Sequence, residues 1–98
     1  MIHVIATITI KPEKREQTLA AARAAIAATR QEKGCVGYDL HESVTTPGTY
    51  VFVERWENRD CLTAHMNAEH FKVRRKAGEE GIASRKIEII ADGKVEAI

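Results

Sequence analysis

Residues 2–10 read IHVIATITI, and this stretch decides the fold. Ile2, Val4, Ala6, Ile8 and Ile10 fall on one side of a two-residue repeat; His3, Ile5, Thr7 and Thr9 fall on the other. Such a repeat is an extended strand with one fully apolar face, and that face needs a covering layer. Lys11-Pro12 ends the strand, because proline has no N–H for a ladder and suits the first turn of a helix. Glu13 to Lys33 then predicts a long Ala-rich helix, with Leu19, Ala22, Ala25, Ile26 and Thr29 at helical spacing and Gly34 as its stop.

Outward from there, Gly37 to Glu42 predicts a second strand with Tyr38 and Leu40 on one face. Thr45-Thr46-Pro47-Gly48 is a turn signal. Thr49 to Glu57 predicts a third strand, with Tyr50, Phe52, Glu54 and Trp56 sharing a face; the short link makes a hairpin with the second. A second helix starts at Asn58-Arg59-Asp60 and runs to about Ala77. Read as one rod it has no clean apolar stripe. Read as two pieces bent near Asn67, it resolves: Cys61, Leu62, His65 and Met66 form one arc, and His70, Phe71, Val73 and Arg74 are neighbours in the other. Arg85 to Ala91 is a fourth strand, Asp92-Gly93 a turn, and Lys94 to Ile98 an extended tail. The order β-α-β-β-α-β predicts an α+β, ferredoxin-like domain over residues 1–98, an antiparallel sheet with helices on one face. The first and third strands also carry apolar residues on the opposite face. The economical cover is the same sheet of a second copy, which predicts a homodimer.

A chain of 98 residues buries one core. Hydrophobic residues at 44% and charged residues at 30% describe an ordinary globular protein. Net charge is +1, from 15 basic and 14 acidic residues, so a clustered basic excess for nucleic acid is missing. No apolar run approaches the ~20 residues of a membrane span. The start, Met1-Ile2-His3-Val4-Ile5, lacks the basic region of a signal peptide. Cys35 and Cys61 sit in no paired motif, and the expected setting is the reducing cytoplasm.

The residue types that handle protons cluster in one region. Glu54 lies between Phe52 and Trp56 on its strand face, and a carboxylate in apolar surroundings has a raised pKa or a paired cation. His65 sits within an apolar arc and His70 between apolar neighbours; an imidazole titrates near neutrality and suits a pocket base. Phe52, Trp56 and Phe71 offer rings to stack on, and Tyr38 a hydroxyl for a phenol or carbonyl. No metal is expected: His65 and Glu69 share a helical face, His70 is turned about 100° away from Glu69, and no third ligand follows from spacing. Nucleotide-binding glycine motifs are absent. The run Arg74-Arg75-Lys76 reads as a solvated helix end, with the rim of an anion-binding pocket as its alternative.

The ordered set Glu32-x-Gly34-Cys35, Tyr38-x-Leu40, Glu54-x-Trp56, His65 and His70-Phe71 resembles the antibiotic biosynthesis monooxygenase domain family, most of all its small quinol monooxygenases. The resemblance implies a ferredoxin-like protomer, a dimeric α/β-barrel, and oxygenation of quinols or polycyclic phenols by O2 without metal, flavin or haem. Haem-degrading relatives carry an Asn on the first strand and a Trp and a His on the second helix. Here the helix positions are His65 and Arg75, and residues 2–10 contain no Asn, which argues against haem.

Triplet oxygen reacts slowly with closed-shell organics, so a substrate must first become an electron-rich anion. That requires a base, a dry cavity and a donor for the oxyanion. The expected assignment has His65 as base, Glu54 orienting or charging it, His70 or Tyr38 steadying the oxygen, and Phe52, Trp56 and Phe71 against the ring. The same residues suit a cofactor-free isomerase of a small carbonyl compound, or a dimer that binds a small aromatic without turnover.

Overall fold

In the computed structural model, which covers residues 1–98, β1 (Ile2–Ile10) realises its alternation. Ile2, Val4, Ala6, Ile8 and Ile10 are all buried, while His3 is exposed and Ile5, Thr7 and Thr9 are half-buried. Pro12–Lys14 form one 3₁₀ turn before α1 (Arg15–Thr29). The helix is shorter than the sequence pattern suggests. After Thr29 the chain tightens through Gln31 N–H to Ala28 C=O at 3.2 Å and Glu32 N–H to Thr29 C=O at 3.0 Å. These short-range bonds satisfy the helix-end carbonyls and turn residues 30–34 out of the helix. Gly34, at φ +82°, completes the reversal in a conformation that costs glycine nothing.

β2 (Cys35–Glu42) and β3 (Thr49–Trp56) form the expected hairpin. A bulge between Cys35 and Gly37 starts β2 two residues earlier than its alternation indicates. The second helix is indeed two: α2 (Arg59–Met66) and α3 (Glu69–Gly78). Asn58 caps α2 by accepting from the Cys61 N–H at 2.9 Å. Ala68 breaks the rod by adopting an extended conformation (φ −69°, ψ 145°) with no proline present. β4 (Ile82–Ala91) begins three residues before the expected Arg85, and the tail Lys94–Ala97 pairs with it as β5. Asp92 (φ 52°) and Gly93 (φ 74°) make the tight turn between them, where both central residues need positive φ.

The sheet order is β2-β3-β1-β4-β5, antiparallel throughout. With three helices on one face, this is the α+β ferredoxin-like arrangement expected from the sequence. The core lies between layers: the inward faces of β1, Tyr38, Tyr50, Phe52, Trp56 and Ile89 meet Leu19 and Ala22 of α1 and Leu62 of α2. No helix is long and apolar enough to cross a membrane.

Gly34 ties the turn to α2 so closely that a Cβ there would overlap the Cys61 side chain. Gly34→Ala is therefore expected to combine a positive-φ cost with a clash, destabilising by about 2–4 kcal/mol. Urea denaturation followed by far-UV circular dichroism checks this; a loss below about 0.5 kcal/mol would show that the turn relaxes freely.

Candidate active site

The break at Ala68 has a geometric consequence. Two residues five apart on one straight helix point about 140° apart at 3.6 residues per turn. Here His65 on α2 and His70 on α3 converge on a single atom. Glu32 Oε2 lies 2.9 Å from His65 Nδ1 and 2.7 Å from His70 Nε2. Glu32 is supplied by the turn after α1 and is itself half-buried. A carboxylate oxygen accepts, so both ring nitrogens donate to it. Neutral His65 therefore carries its proton on Nδ1 and leaves Nε2 bare. That Nε2 atom is buried and has no hydrogen-bond partner in the protein.

His65 is 2% exposed and walled by rings. Its centroid is 4.7 Å from Trp56, 4.9 Å from Phe71 edge-on and 5.5 Å from Tyr38. Burial holds its pKa below the usual imidazole value, Glu32 pulls the other way, and Arg74 and His70 reinforce the depression. His65 is thus neutral at neutral pH, with a free lone pair.

This ring stands on the wall of a cavity of about 80 Å³ between sheet and helices, shared with Tyr38, Phe52, Glu54, Phe71 and Arg74. Such a space holds a few waters; drug-sized ligands fill roughly 300–1,000 Å³. The Arg74 guanidinium accounts for part of the tightness. It stacks 5.1 Å from the Phe52 centroid and 5.2 Å from that of Phe71.

Two sequence expectations need correction. Glu54 does not orient His65: its Oε1 accepts from Trp56 Nε1–H at 3.1 Å, and the carboxylate on His65 is Glu32. The reason is strand geometry, since residues 54 and 56 are same-face neighbours on β3. Trp56 is 0% exposed and stands behind His65, outside the cavity wall, as does His70. Tyr38, Phe52, Glu54, His65 and Phe71 do share the wall.

The pairing of Glu32 with His65 is what sequence reasoning missed. Glu32 lies 33 positions before His65, beyond any local periodicity. Arg74, expected beside His70 and Phe71 from its helical spacing, is on the cavity wall with Phe71.

Spacing alone offered no third metal ligand, yet Glu32, His65 and His70 bring donor atoms within 4.8 Å of one another. Ligands of one tetrahedral ion at ~2.0–2.1 Å sit about 3.3 Å apart. The shared oxygen here is 2.7 and 2.9 Å from the ring nitrogens, which is hydrogen-bonding distance and shorter than that tetrahedral spacing.

Burial also pushes the Glu54 carboxyl up to about 7, with Glu32 adding to the push while Trp56 and Arg74 oppose it. Burial raises the Tyr38 hydroxyl pKa as well, so it remains a proton-bearing donor.

The chain is similar to known proteins over most of its length. The model of the antibiotic biosynthesis monooxygenase family matches residues 1–77. The Bacillus subtilis protein named "Putative monooxygenase YcnE" is 38% identical over 72 residues, 74% of this chain and 76% of that protein. A crystal structure described as an antibiotic biosynthesis monooxygenase superposes with a TM-score of 0.87 at 33% identity, covering 93% of this chain and 97% of the other. The structure of Rv0793 from Mycobacterium tuberculosis gives 0.86 at 32% identity, with 92% of each chain covered.

A raised native pKa means that the folded state keeps a proton which the unfolded chain has lost. The contribution of Glu54 is fully present below about 4.5 and is lost as pH rises through about 7. Glu54→Gln, which can still accept from Trp56, is expected to remove that dependence and to exceed the wild type in stability at pH 8 by up to about 3 kcal/mol. Urea unfolding of both proteins at pH 5 and pH 8 reads the difference; parallel pH profiles would contradict it.

Proposed function

We propose that this chain, which belongs to the antibiotic biosynthesis monooxygenase family, is a cofactor-independent monooxygenase acting on a quinol or polycyclic phenol. The observation that carries the reading is the bare, buried Nε2 of His65 on the wall of an apolar cavity, with Nδ1–H anchored on Glu32.

The chemistry follows from that lone pair. His65 Nε2 takes the phenolic proton, and Glu32 stabilises the imidazolium that forms and fixes its ring. The phenolate gives one electron to O2, yielding a phenoxyl radical and superoxide. The pair recombines to form a C–O bond at a ring carbon bearing hydrogen, and His65 returns its proton to the resulting peroxide. O–O cleavage, with loss of the ring hydrogen, leaves a carbonyl and releases water. One oxygen atom enters the product, the other leaves as water, and the substrate supplies the electrons. The Tyr38 hydroxyl donates to the developing oxyanion, and Phe52 and Phe71 flank the ring once Arg74 has moved aside. Dryness favours this sequence, because water would quench both the base and the anion.

The working unit in this proposal is a homodimer in the cytoplasm. Ile5, Val51, Val53, Ile90 and Val95 lie on the sheet face without helices, Val95 being 62% exposed. A second copy's sheet is the economical cover for such a face. Both thiols are free, which suits a reducing compartment.

Oxygen uptake with a menadiol-type quinol, corrected for spontaneous oxidation, tests the chemistry. His65→Ala is expected to lose about 10²–10⁴-fold of the catalysed rate. An unchanged rate sinks the role of His65, and turnover without oxygen uptake would assign an isomerase instead. Val53→Glu is expected to yield a monomer in sedimentation velocity while keeping the fold; a monomeric wild type would remove the dimer.

A further inference from the structure

The cavity that holds His65 is also lined by three arginines, the half-buried Arg74 and the exposed Arg75 from α3 and the exposed Arg85 from β4. None of the three takes part in an ion pair; the pairs in the molecule engage Arg15, Arg30, Arg59 and the two histidines. Glu54 is the one acidic residue on the wall, and it already accepts from Trp56. The Arg85 side chain feels the crowding. Burial, then Arg75 and Arg74, hold its pKa below the ordinary guanidinium value, with Glu79 opposing through space. A cluster of like charges beside apolar walls is destabilising unless an anion joins it.

The sheet register locates this cluster relative to the base. Val4 of β1 pairs with Glu54, which pairs in turn with Tyr38, so that rung marks the end of the cavity nearest His65. Arg85 pairs with Ile8, four residues further along β1. At ~3.3 Å per residue the two rungs are about 13 Å apart at the backbone. His65 and Glu54 thus lie towards one end of the cavity and Arg85 towards the other, with the Arg74 guanidinium between them over Phe52 and Phe71.

We propose that the substrate is an aromatic carboxylate: a phenol or quinol whose ring system carries a carboxylate on the edge opposite its hydroxyl. The carboxylate is held by Arg75 and Arg85, with Arg74 swinging off Phe52 and Phe71 to join them as the ring enters. Guanidinium forks match a carboxylate in geometry and charge. This assignment rests on the phenol-oxidising reading above, and it adds that orientation comes from charge at the far end of the cavity.

Calorimetric titration of the wild type with 6-hydroxy-2-naphthoate and with 2-naphthol separates the two claims. The carboxylated probe is expected to bind at least about 10-fold more tightly, with the advantage shrinking as salt rises. The double variant Arg75→Gln/Arg85→Gln is expected to bring it down to the affinity of 2-naphthol. Both guanidiniums are on exposed residues, and the wild-type comparison stands whether or not the variant folds. Equal affinities in the wild type, or an advantage that survives in a folded double variant, overturn the carboxylate assignment and leave the phenol reading intact. Failure of both probes to bind overturns the two together.

Discussion

One carboxylate oxygen organises the site. Glu32 Oε2 takes hydrogen bonds from His65 and His70, which belong to different helices. Hydrogen bonds to a charged partner in a partly buried place are worth about 1.5–3 kcal/mol each, against about 1 for neutral pairs. Much of the local architecture serves this meeting. The tightened end of α1 carries Glu32 out of the helix, Gly34 reverses the chain hard against Cys61, and Ala68 breaks the rod so that two imidazoles can face one acceptor. A continuous helix would send them to different sides.

The electrostatics around this node have a common direction. Burial raises the Glu54 carboxyl to about 7, raises the Tyr38 hydroxyl, and lowers the His65 imidazole. Each group is pushed toward its neutral form, as expected where water is scarce. Glu32 is the counterweight: it lends negative charge to His65 from behind while the cavity side stays apolar. The result is a ring that is neutral before a proton arrives and stabilised after it does, which is the requirement for a base that generates a substrate anion away from water. Arg74, Arg75 and Arg85, none of them in an ion pair, add positive charge to the lining of the same cavity.

Most of the architecture could be read from the chain because periodicity is a local property. IHVIATITI alternates and forms a strand; Cys61, Leu62, His65 and Met66 share an arc, and the helix they imply ends beside Asn67. Element ends were less legible. The last residues of the expected first helix form turns instead, since helix termination depends on carbonyls finding closer partners. The site was legible in part. Position on β3 puts Phe52 and Glu54 on the inward face, and the cavity wall includes both. Trp56 shares that face but is packed behind His65, because its place depends on rotamer and neighbours rather than on alternation. The partner of His65 was misassigned for a related reason: the nearest carboxylate in the pattern was Glu54, whereas the one that reaches it is brought from the end of α1 by tertiary folding.

The central claim is a tautomer: His65 is neutral, protonated on Nδ1 and bare on Nε2. Nitrogen-15 chemical shifts of the imidazole rings, measured on labelled protein at pH 7 with His65→Gln to assign the signals, read this directly. The account predicts a pyrrole-type Nδ1 and a pyridine-type Nε2 for His65, with the pattern lost in Glu32→Ala. A pyrrole-type Nε2, or a ring protonated on both nitrogens at that pH, would contradict it.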